Sequence, residues 1–268
     1  MSDSTLGTAL ITGASSGIGA TYADRLARRG YDLILVARNK QRLDALAEKL
    51  RAETGRTIEV LVADLTDGDD LSRIEKLLAT DSLISLFLNN AGAALKGGIL
   101  DNETPAFEKL IALNVTATTV LASAAAKAFK ARGSGSIINI ASVLALAPEL
   151  FDGTYSATKA FNLHLSRSLS TLLADSGVYV QAVLPGATRT EIWENSGTPV
   201  EALPIEMVME VDDLVDAALI GFDRRENVTI PPLEDEGQWL AFDQARGALL
   251  PNLSRNVVAS RYRAEVDA

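Results

Sequence analysis

Residues 8–19 have the sequence TALITGASSGIG, in which a short apolar run leads into three closely spaced glycines. The apolar run predicts a buried strand, and the segment that begins at Ala20 has the spacing of a helix. Glycines at such a junction allow a tight turn and close approach of the backbone to a pyrophosphate, which the start of the helix attracts. The pattern favours a phosphate-binding loop over a purely structural turn. The predicted contact residues of this loop are Gly13, Ser15, Ser16, Gly17, Ile18 and Gly19.

Short apolar runs and helical segments alternate from residue 8 to beyond residue 180. The runs are almost entirely apolar, as is typical of parallel strands that are buried on both faces. This alternation predicts an α/β fold, a Rossmann-like doubly wound parallel sheet of about seven strands with helices on both faces. The predicted strands are 8–12, 33–37, 58–63, 84–89, 136–141, 178–184 and 228–230.

The composition of the 268 residues argues against several classes of function. A formal net charge of −10 disfavours binding to nucleic acid or to anionic membranes. With no cysteine and one histidine, the chain has no disulfide, no thiol nucleophile and no His-rich or thiolate metal site, so we predict no bound metal. The longest uncharged stretch, 110–126, has 17 residues, which we expect to be too short and too polar to span a bilayer. Because the N-terminus lacks the basic region of a signal peptide, we predict a cytoplasmic protein.

We predict that residues 1–268 form a single domain, since no linker interrupts the alternation before residue 185. Residues 8–187 are predicted to form the cofactor-binding and catalytic core. The irregular segment 188–210 predicts a lid over the substrate, because long loops in compact domains are often functional. Its Trp193, Met207 and Met209 are compatible either with an apolar substrate pocket or with simple packing of the lid. Residues 231–268 are predicted to form a C-terminal tail.

The end of the second predicted strand indicates which dinucleotide is bound. A carboxylate about 20 residues beyond the glycines would hold the ribose 2′-hydroxyl of NAD. This chain has Ala37 and Arg38 there instead, and Asp32 lies at the wrong end of the strand. A guanidinium can pair with a 2′-phosphate, so the sequence predicts NADP(H) as the cofactor.

Three side chains after the fifth predicted strand suit acid–base chemistry. Ser142 follows the strand, and Tyr155 and Lys159 are spaced so that both lie on one face of a helix. A nearby ammonium is expected to lower the pKa of a tyrosine hydroxyl toward the operating pH of a general acid or base. Ser142 is well placed to hydrogen-bond the same substrate oxygen. In isolation, the Tyr–Lys pair also fits an ordinary helix contact.

The ordered set of motifs resembles the short-chain dehydrogenase/reductase family, in its shorter single-domain type. The resemblance extends from residue 8 to about residue 190. The matching elements are Thr12-Gly13-x3-Gly17-x-Gly19, Asp64, Asn89-Asn90-Ala91-Gly92, Asn114, Ser142, Tyr155-x3-Lys159, and Pro185-Gly186 with Thr188 and Thr190. The resemblance implies an NADP-dependent oxidoreductase that interconverts a carbonyl compound and a secondary alcohol by hydride transfer, with Tyr155 as the general acid or base.

The resemblance also implies roles for individual residues. Lys159 would tune Tyr155 and hydrogen-bond the nicotinamide ribose, and Ser142 would steady the substrate oxygen. Asn114 would hold a water that links Lys159 to solvent. The remaining cofactor contacts that it implies are Asp64 at the adenine, Leu65, the run Asn90, Ala91 and Gly92 at the adenine ribose, and Pro185, Gly186, Thr188 and Thr190 at the nicotinamide end.

The predicted partners are a small carbonyl or alcohol substrate and further copies of the same chain. In the family, the helices that correspond to 117–126 and to the segment after Tyr155 form a four-helix dimer interface, so we expect a homodimer or a homotetramer. Three alternatives stay open: a nucleotide-sensing regulator without turnover, an NAD-linked alcohol dehydrogenase, and an epimerase or dehydratase. No motif identifies the substrate.

Overall fold

The predicted parallel sheet is present in the computed structural model, which describes residues 6–193, 197 and 199–263. The strands are β1 (Thr8–Thr12), β2 (Asp32–Ala37), β3 (Ile58–Val62), β4 (Ile84–Asn89), β5 (Gly135–Ile140), β6 (Val178–Val183) and β7 (Val228–Thr229). They form one sheet in the order β3-β2-β1-β4-β5-β6-β7, and every neighbouring pair is parallel. All seven predicted strands are confirmed to within one residue at each end. The strand order reverses between β1 and β4, the position at which doubly wound folds bind their ligands.

Helices connect these strands as crossovers. Those whose full extent the structure describes are α1 (Gly17–Arg28), α2 (Lys40–Thr54), α3 (Gly68–Thr80), α4 (Thr104–Ile111), α5 (Thr118–Arg132), α6 (Gly153–Leu173) and α7 (Val211–Asp223). A further helix, α8 (Glu236–Leu249), follows the last strand.

The core lies on both faces of the sheet, which explains the almost continuously apolar strands. Successive residues of β2 point to opposite faces. Leu33 and Leu35 belong to one buried cluster, which includes Leu26 of α1. Ile34 belongs to the other, which includes Leu121 of α5. Burial of each such side chain stabilises the fold by about 1.5–3 kcal/mol.

A six-residue π-helical segment, Ala112–Ala117, joins α4 and α5 into one helix of 29 residues. By length and composition alone this helix could cross a membrane, which contradicts the expectation that the stretch 110–126 is too short and too polar to do so. However, half of its apolar window is buried within the protein. Leu121, Ala125 and Phe129 of α5 belong to the cluster on the sheet, as expected for a core helix.

The chain divides into two compact units, Met1–Pro232 and Leu233–Ala268. The first contains the sheet and every residue predicted for the site. The second contains α8, in which Trp239 and Phe242 stack with ring centroids 5.6 Å apart. Residues 194–196 and 198 of the predicted lid and 264–268 of the predicted tail lie outside the described residues. The single domain over 1–268 and the role of the tail stay predictions.

Candidate active site

The glycine loop connects β1 to α1 beside the point where the strand order reverses. Gly13 has a φ of +67°, and a Cβ there would lie 2.8 Å from Nδ2 of Asn90. A Cβ on Gly19 would overlap the carbonyl oxygen of Gly13. These positions therefore require glycine, because the loop, the helix and the Asn90 side chain approach one another so closely.

The start of α1 fits a bound phosphate group. Its N-cap residue, Ser16, makes no side-chain hydrogen bond to the helix, and the first turn contains no acidic residue. In α2 and α3, by contrast, the side chains of Asn39 and Asp67 accept hydrogen bonds from the first turn. Ser16 thus leaves the first-turn N–H groups of α1 available, and the helix dipole favours an anion there.

Arg38 and Asp64 lie side by side beyond the ends of β2 and β3. Nη1 of Arg38 is 3.9 Å from Oδ2 of Asp64, and the Arg38 side chain is 68% exposed. Asp64 accepts hydrogen bonds from the backbone N–H of Thr66 at 3.0 Å and from its hydroxyl at 2.7 Å. The Thr66 N–H holds the pKa of Asp64 below its usual range, so Asp64 is an anion at neutral pH. The neighbouring Leu65 is buried.

Asn90 ties the glycine loop to the end of β4. Its Nδ2 donates to the carbonyl oxygen of Thr12 at 2.9 Å. The backbone N–H groups of Asn90 and Ala91 both donate to Oγ1 of Thr12, at 3.0 and 3.1 Å. Sequence reasoning assigned Asn90 to the adenine ribose and missed this structural role. The assignment of Asn90, Ala91 and Gly92 to the cofactor stays a prediction.

Tyr155 and Lys159 lie near the start of α6 and are both buried. The carboxylate of Asp152 caps this helix by accepting a hydrogen bond from the N–H of Tyr155 at 2.8 Å. Nζ of Lys159 donates to the carbonyl oxygen of Ile140 at 3.0 Å and is 5.6 Å from the centroid of the Tyr155 ring. The ammonium therefore lies between the end of β5 and the face of the tyrosine ring.

Burial dominates the ionisation of this pair. It raises the pKa of Tyr155 above the ordinary value for tyrosine and lowers the pKa of Lys159 to about 8. The expectation that the pKa of Tyr155 falls toward the operating pH is therefore wrong, since burial outweighs the nearby ammonium. The physical reason is that the ammonium lies over the ring, while the loss of hydration penalises both charged forms. Tyr155 is a protonated phenol at neutral pH.

We expect Lys159 to titrate with a midpoint of about 8. The measurement is NMR of the lysine ε-carbon in labelled protein, and Lys159→Met should remove the signal with that midpoint. Because burial lowers the pKa, the unfolded chain binds more protons than the folded one between the two pKa values. The stability of the wild type relative to Lys159→Met should therefore rise as the pH increases from about 8 to the ordinary lysine pKa of 10.5. A midpoint near the latter value would contradict the dominance of burial.

Ser142 follows β5 and begins the short 3₁₀ turn Val143–Ala145, which contacts α6. Its Oγ accepts a hydrogen bond from the N–H of Leu144 at 3.1 Å and donates to the carbonyl oxygen of Pro185 at 3.4 Å. The second bond is long, so the hydroxyl hydrogen can be redirected to a substrate oxygen at small cost. Pro185 follows β6, and the predicted nicotinamide segment therefore lies next to Ser142.

The rest of the segment after β6 approaches the glycine loop. Oγ1 of Thr188 donates to the carbonyl oxygen of Gly186 at 3.1 Å. A Cβ on Gly17 would lie 3.2 Å from Cγ2 of Thr190, so Thr190 packs against the loop. The backbone N–H of Met209 donates to the carbonyl of Ala187 at 2.9 Å, which ties the two ends of the predicted lid together.

Asn114 lies in the π-helical segment and is buried. Its Oδ1 accepts from the N–H of Ala93 at 3.0 Å, while its Nδ2 donates to the carbonyl of Ala93 at 2.9 Å and to Oγ1 of Thr158 at 3.0 Å. A Cβ on Gly92 would lie 3.4 Å from Oδ1 of Asn114 and 3.5 Å from Nζ of Lys159. Asn114 and Lys159 thus converge at Gly92, and π-helical segments are frequent at functional sites.

Phe151 is a site residue that sequence reasoning missed. Its ring makes edge-to-face contacts with Tyr155, at 5.9 Å between centroids, and with Trp193, at 6.1 Å. Nε1 of Trp193 donates to the carbonyl oxygen of Thr188 at 2.8 Å, which orients the indole. We call Phe151 and Trp193 the aromatic wall. Its position beside Tyr155 favours the apolar-pocket interpretation of Trp193, and the only signal in the sequence was that Phe151 lies four residues before Tyr155.

Two open cavities adjoin the aromatic wall. One, of about 660 Å³, is lined by Lys96, Gly97, Gly98, Asp101, Phe151, Asp152 and Gly197. The other, of about 560 Å³, is lined by Arg189, Thr190, Glu191, Trp193, Gly197, Pro199, Val200 and Glu201. Phe151 lines the larger cavity, and its ring also contacts Tyr155. In the described part of the chain, no group of three or more His, Asp or Glu side chains is placed to hold a metal ion.

A glycine loop at the switch point of a doubly wound sheet, followed by a Ser–Tyr–Lys set after β5, defines a Rossmann-type dinucleotide-dependent protein. The short chain dehydrogenase family matches residues 7–201, and the chain belongs to this family. The resemblance inferred from the motifs and the predicted fold class are both confirmed.

Two solved structures are similar along almost the whole chain. A short-chain dehydrogenase from Sphingobium yanoikuyae, in complex with NADPH, is 56% identical with a TM-score of 0.94, and the match covers 96% of this chain and 100% of that chain. A bulky-bulky ketone specific alcohol dehydrogenase from Comamonas testosteroni is 50% identical with a TM-score of 0.89, covering 97% and 99%.

Curated relatives are more distant. The very-long-chain 3-oxoacyl-CoA reductase of Podospora anserina is 33% identical over 82% of this chain and 64% of its own length. The human 17-beta-hydroxysteroid dehydrogenase type 3 is 32% identical over 72% of this chain and 62% of its own length. The match therefore spans less than two thirds of the length of either relative. Because these relatives are named as reductases or dehydrogenases, the prediction of an oxidoreductase is confirmed at the level of the family.

Proposed function

We propose that the protein is an NADP-dependent oxidoreductase that interconverts a carbonyl compound and a secondary alcohol. The observation that carries this proposal is the convergence of Asn114 and Lys159 at Gly92, with the Tyr155 ring beside Lys159. Lys159 also donates to Ile140, two residues before Ser142. A protein that only senses a nucleotide has no use for a buried proton donor with a charged neighbour. The convergence therefore favours turnover over the sensing alternative.

Tyr155 is the general acid in reduction and the general base in oxidation. Its raised pKa keeps the hydroxyl protonated at neutral pH, which is the state that reduction requires. The nicotinamide dinucleotide supplies the hydride when it is bound. The protein's own part is to hold the substrate carbonyl oxygen against the Tyr155 hydroxyl and to deliver the proton.

The neighbouring polar groups support this proton transfer. Ser142 exchanges its long hydrogen bond to Pro185 for one to the substrate oxygen. Lys159 donates to the ribose hydroxyls next to the nicotinamide, and its charge stabilises the phenolate that forms when Tyr155 gives up its proton. The side chain of Asn114 is committed to Ala93 and Thr158, so it holds the π-helical segment beside Lys159.

The preference for NADP(H) rests on Arg38. Its exposed guanidinium lies beyond the end of β2, where an NAD-binding protein would carry a carboxylate. The nearest carboxylate, Asp64, accepts from Thr66 and is 3.9 Å from Arg38, so the guanidinium has donors free for a phosphate. The similar protein from Sphingobium yanoikuyae was solved with NADPH, which supports the same cofactor here.

The substrate that fits best is a ketone with bulky apolar substituents. The aromatic wall offers Phe151 and Trp193 as apolar contacts beside Tyr155. The similar alcohol dehydrogenase from Comamonas testosteroni is specific for ketones with two bulky groups, which supports this class.

The test is the oxidation of NADPH, followed by absorbance, with a series of ketones from small to bulky and aryl-substituted. We expect kcat/KM to increase with the apolar bulk of the ketone. Phe151→Ala should lower kcat/KM for aryl ketones by about tenfold, because an aromatic contact contributes about 0.5–1.5 kcal/mol. Phe222→Ala is the matched control, since its ring contacts Tyr179 at 5.3 Å, away from the site. Absence of turnover with every ketone would contradict the proposed reaction.

The oligomeric state and the cellular location also belong to this proposal. Apolar side chains of α6, one of the two helices expected at the interface, are exposed, among them Phe161 and Leu172. Ile111, at the end of the adjoining α4, is exposed as well. We propose that α4, α5 and α6 form a contact between copies. Sedimentation should give at least twice the chain mass of 28.4 kDa, and a monomer at all concentrations would contradict this contact. The cytoplasmic location stays a prediction.

A further inference from the structure

The carbonyl oxygen of Ile140 accepts hydrogen bonds from two buried side chains. One donor is Nζ of Lys159 at 3.0 Å, and the other is Nδ2 of Asn162 at 3.2 Å. Ile140 is the last residue of β5, one position beyond the last pairing of β5 with β4, between Asn139 and Asn89. Side chains of α6 therefore provide donors to this carbonyl at a point where the β4 ladder has ended.

These two hydrogen bonds to one carbonyl oxygen matter for the proposed function, on which the inference rests. In our proposal, the Lys159 ammonium turns away from Ile140 when it donates to the ribose hydroxyls of the cofactor. A buried carbonyl that loses its donor carries a full desolvation penalty, and that penalty would be subtracted from the affinity for the cofactor. The Asn162 amide, 4% exposed, remains on the carbonyl when the ammonium leaves.

Hydrogen bonds of neighbouring side chains hold Asn162 in place. Oγ of Ser166 donates to the backbone carbonyl of Asn162 at 2.7 Å and accepts from Nδ2 of Asn139 at 3.0 Å. Oδ1 of Asn139 accepts in turn from Nδ2 of Asn89 at 3.1 Å. This chain of hydrogen bonds connects α6 to the ends of β5 and β4, so the segment that carries Asn162 is fixed to the sheet.

We propose that Asn162 is a positioning residue that keeps the Ile140 carbonyl hydrogen-bonded and so releases Lys159 to the cofactor. Asn162 does not touch the cofactor or the substrate, and it acts through Lys159. Loss of the Asn162 amide should therefore weaken cofactor binding only in a protein that has Lys159.

The experiment is a double-mutant cycle on the affinity for NADPH, measured by fluorescence titration in the full-length protein. Asn162→Leu should weaken NADPH binding by about tenfold, because the released carbonyl is then unpaired. In the Lys159→Ala background the same substitution should have no effect. There the carbonyl is unpaired both with and without NADPH, so the penalty cancels.

A second variant and a control make the cycle decisive. Asn162→Asp keeps the shape of the side chain but removes its donors, and it should lose at least as much affinity in the wild-type background and none with Lys159→Ala. Gln181→Leu is the control, since its buried amide donates to the carbonyl of Ala218 in α7 at 2.9 Å and not to the Ile140 carbonyl. It should lower the melting temperature and leave the NADPH affinity unchanged.

The outcomes separate this inference from the proposed function. Equal losses from Asn162→Leu in both backgrounds, or no loss in either, would overturn the positioning role while leaving the reaction intact. A wild type that does not bind NADPH, or a Lys159→Ala variant that binds it as tightly as the wild type, would overturn the proposed function and this inference together.

Discussion

Tyr155→Phe is expected to reduce kcat for ketone reduction by about 10³-fold, within the range typical for loss of a positioned general acid. The substitution removes one oxygen atom and keeps the ring, which contacts Phe151 at 5.9 Å. The backbone N–H of residue 155 also keeps its hydrogen bond to Asp152. We therefore expect the affinity for NADPH to stay within a few-fold of the wild-type value. Steady-state kinetics and a separate NADPH titration measure the two quantities.

Tyr22→Phe provides the matched control for this experiment. Tyr22 is fully buried on α1, and its hydroxyl has no hydrogen-bond partner among the described residues. Deleting that oxygen should leave kcat unchanged and cost no stability, since no hydrogen bond is lost. If Tyr155→Phe retained most of its turnover, Tyr155 would not be the proton donor, and another group would have to be sought beside Ser142.

Arg38→Ala is expected to weaken NADPH binding by about 30-fold, or about 2 kcal/mol, the range of a hydrogen bond between charged groups. The affinity for NADH should change less than about twofold, because NADH has no 2′-phosphate for the guanidinium to bind. The measurement is a titration of each variant with both reduced cofactors. Since Arg38 is 68% exposed, added salt should weaken NADPH binding more than NADH binding in the wild type.

The neighbouring Lys40 supplies the control for the Arg38 experiment. Its side chain is 70% exposed and forms an ion pair with Asp44 at 2.6 Å within α2. Lys40→Ala removes the same formal charge from the same surface, and it should change the NADPH affinity far less than Arg38→Ala. Equal losses for NADPH and NADH in Arg38→Ala would contradict a 2′-phosphate contact and reopen the NAD-linked alternative.

The architecture could be predicted from the sequence because strands and helices depend mainly on local patterns. All seven strands were placed to within one residue, since apolar runs bounded by glycine and polar residues encode them directly. It could also be predicted that the polar residues of the candidate site lie together at the carboxyl edge of the sheet. Parallel strands bring their carboxyl ends to one edge of a sheet, so residues that follow β1, β4, β5 and β6 meet there.

Contacts between distant segments were less accessible to sequence reasoning. Phe151 was missed because nothing in its neighbourhood has a period that orients its ring toward Trp193, 42 positions later. The loop-binding role of Asn90 was missed because an asparagine after a strand also suits a turn. The extent of the membrane-sized helix was missed because only the uncharged stretch 110–126 was considered. Lys109 and Lys127, which border that stretch, do not interrupt the helix.

The amino-acid pattern alone determined the doubly wound sheet, the glycine loop, the family and the set of side chains at the carboxyl edge of the sheet. Each of these depends on spacing along the chain. The folded arrangement was needed to find that Lys159 lies over the Tyr155 ring, that Asn162 shares the carbonyl of Ile140 with it, and that burial raises the pKa of Tyr155. These properties arise when α6 packs against β5 and excludes water. The pKa of a buried group depends on that loss of hydration, which cannot be inferred from the spacing of residues along the chain.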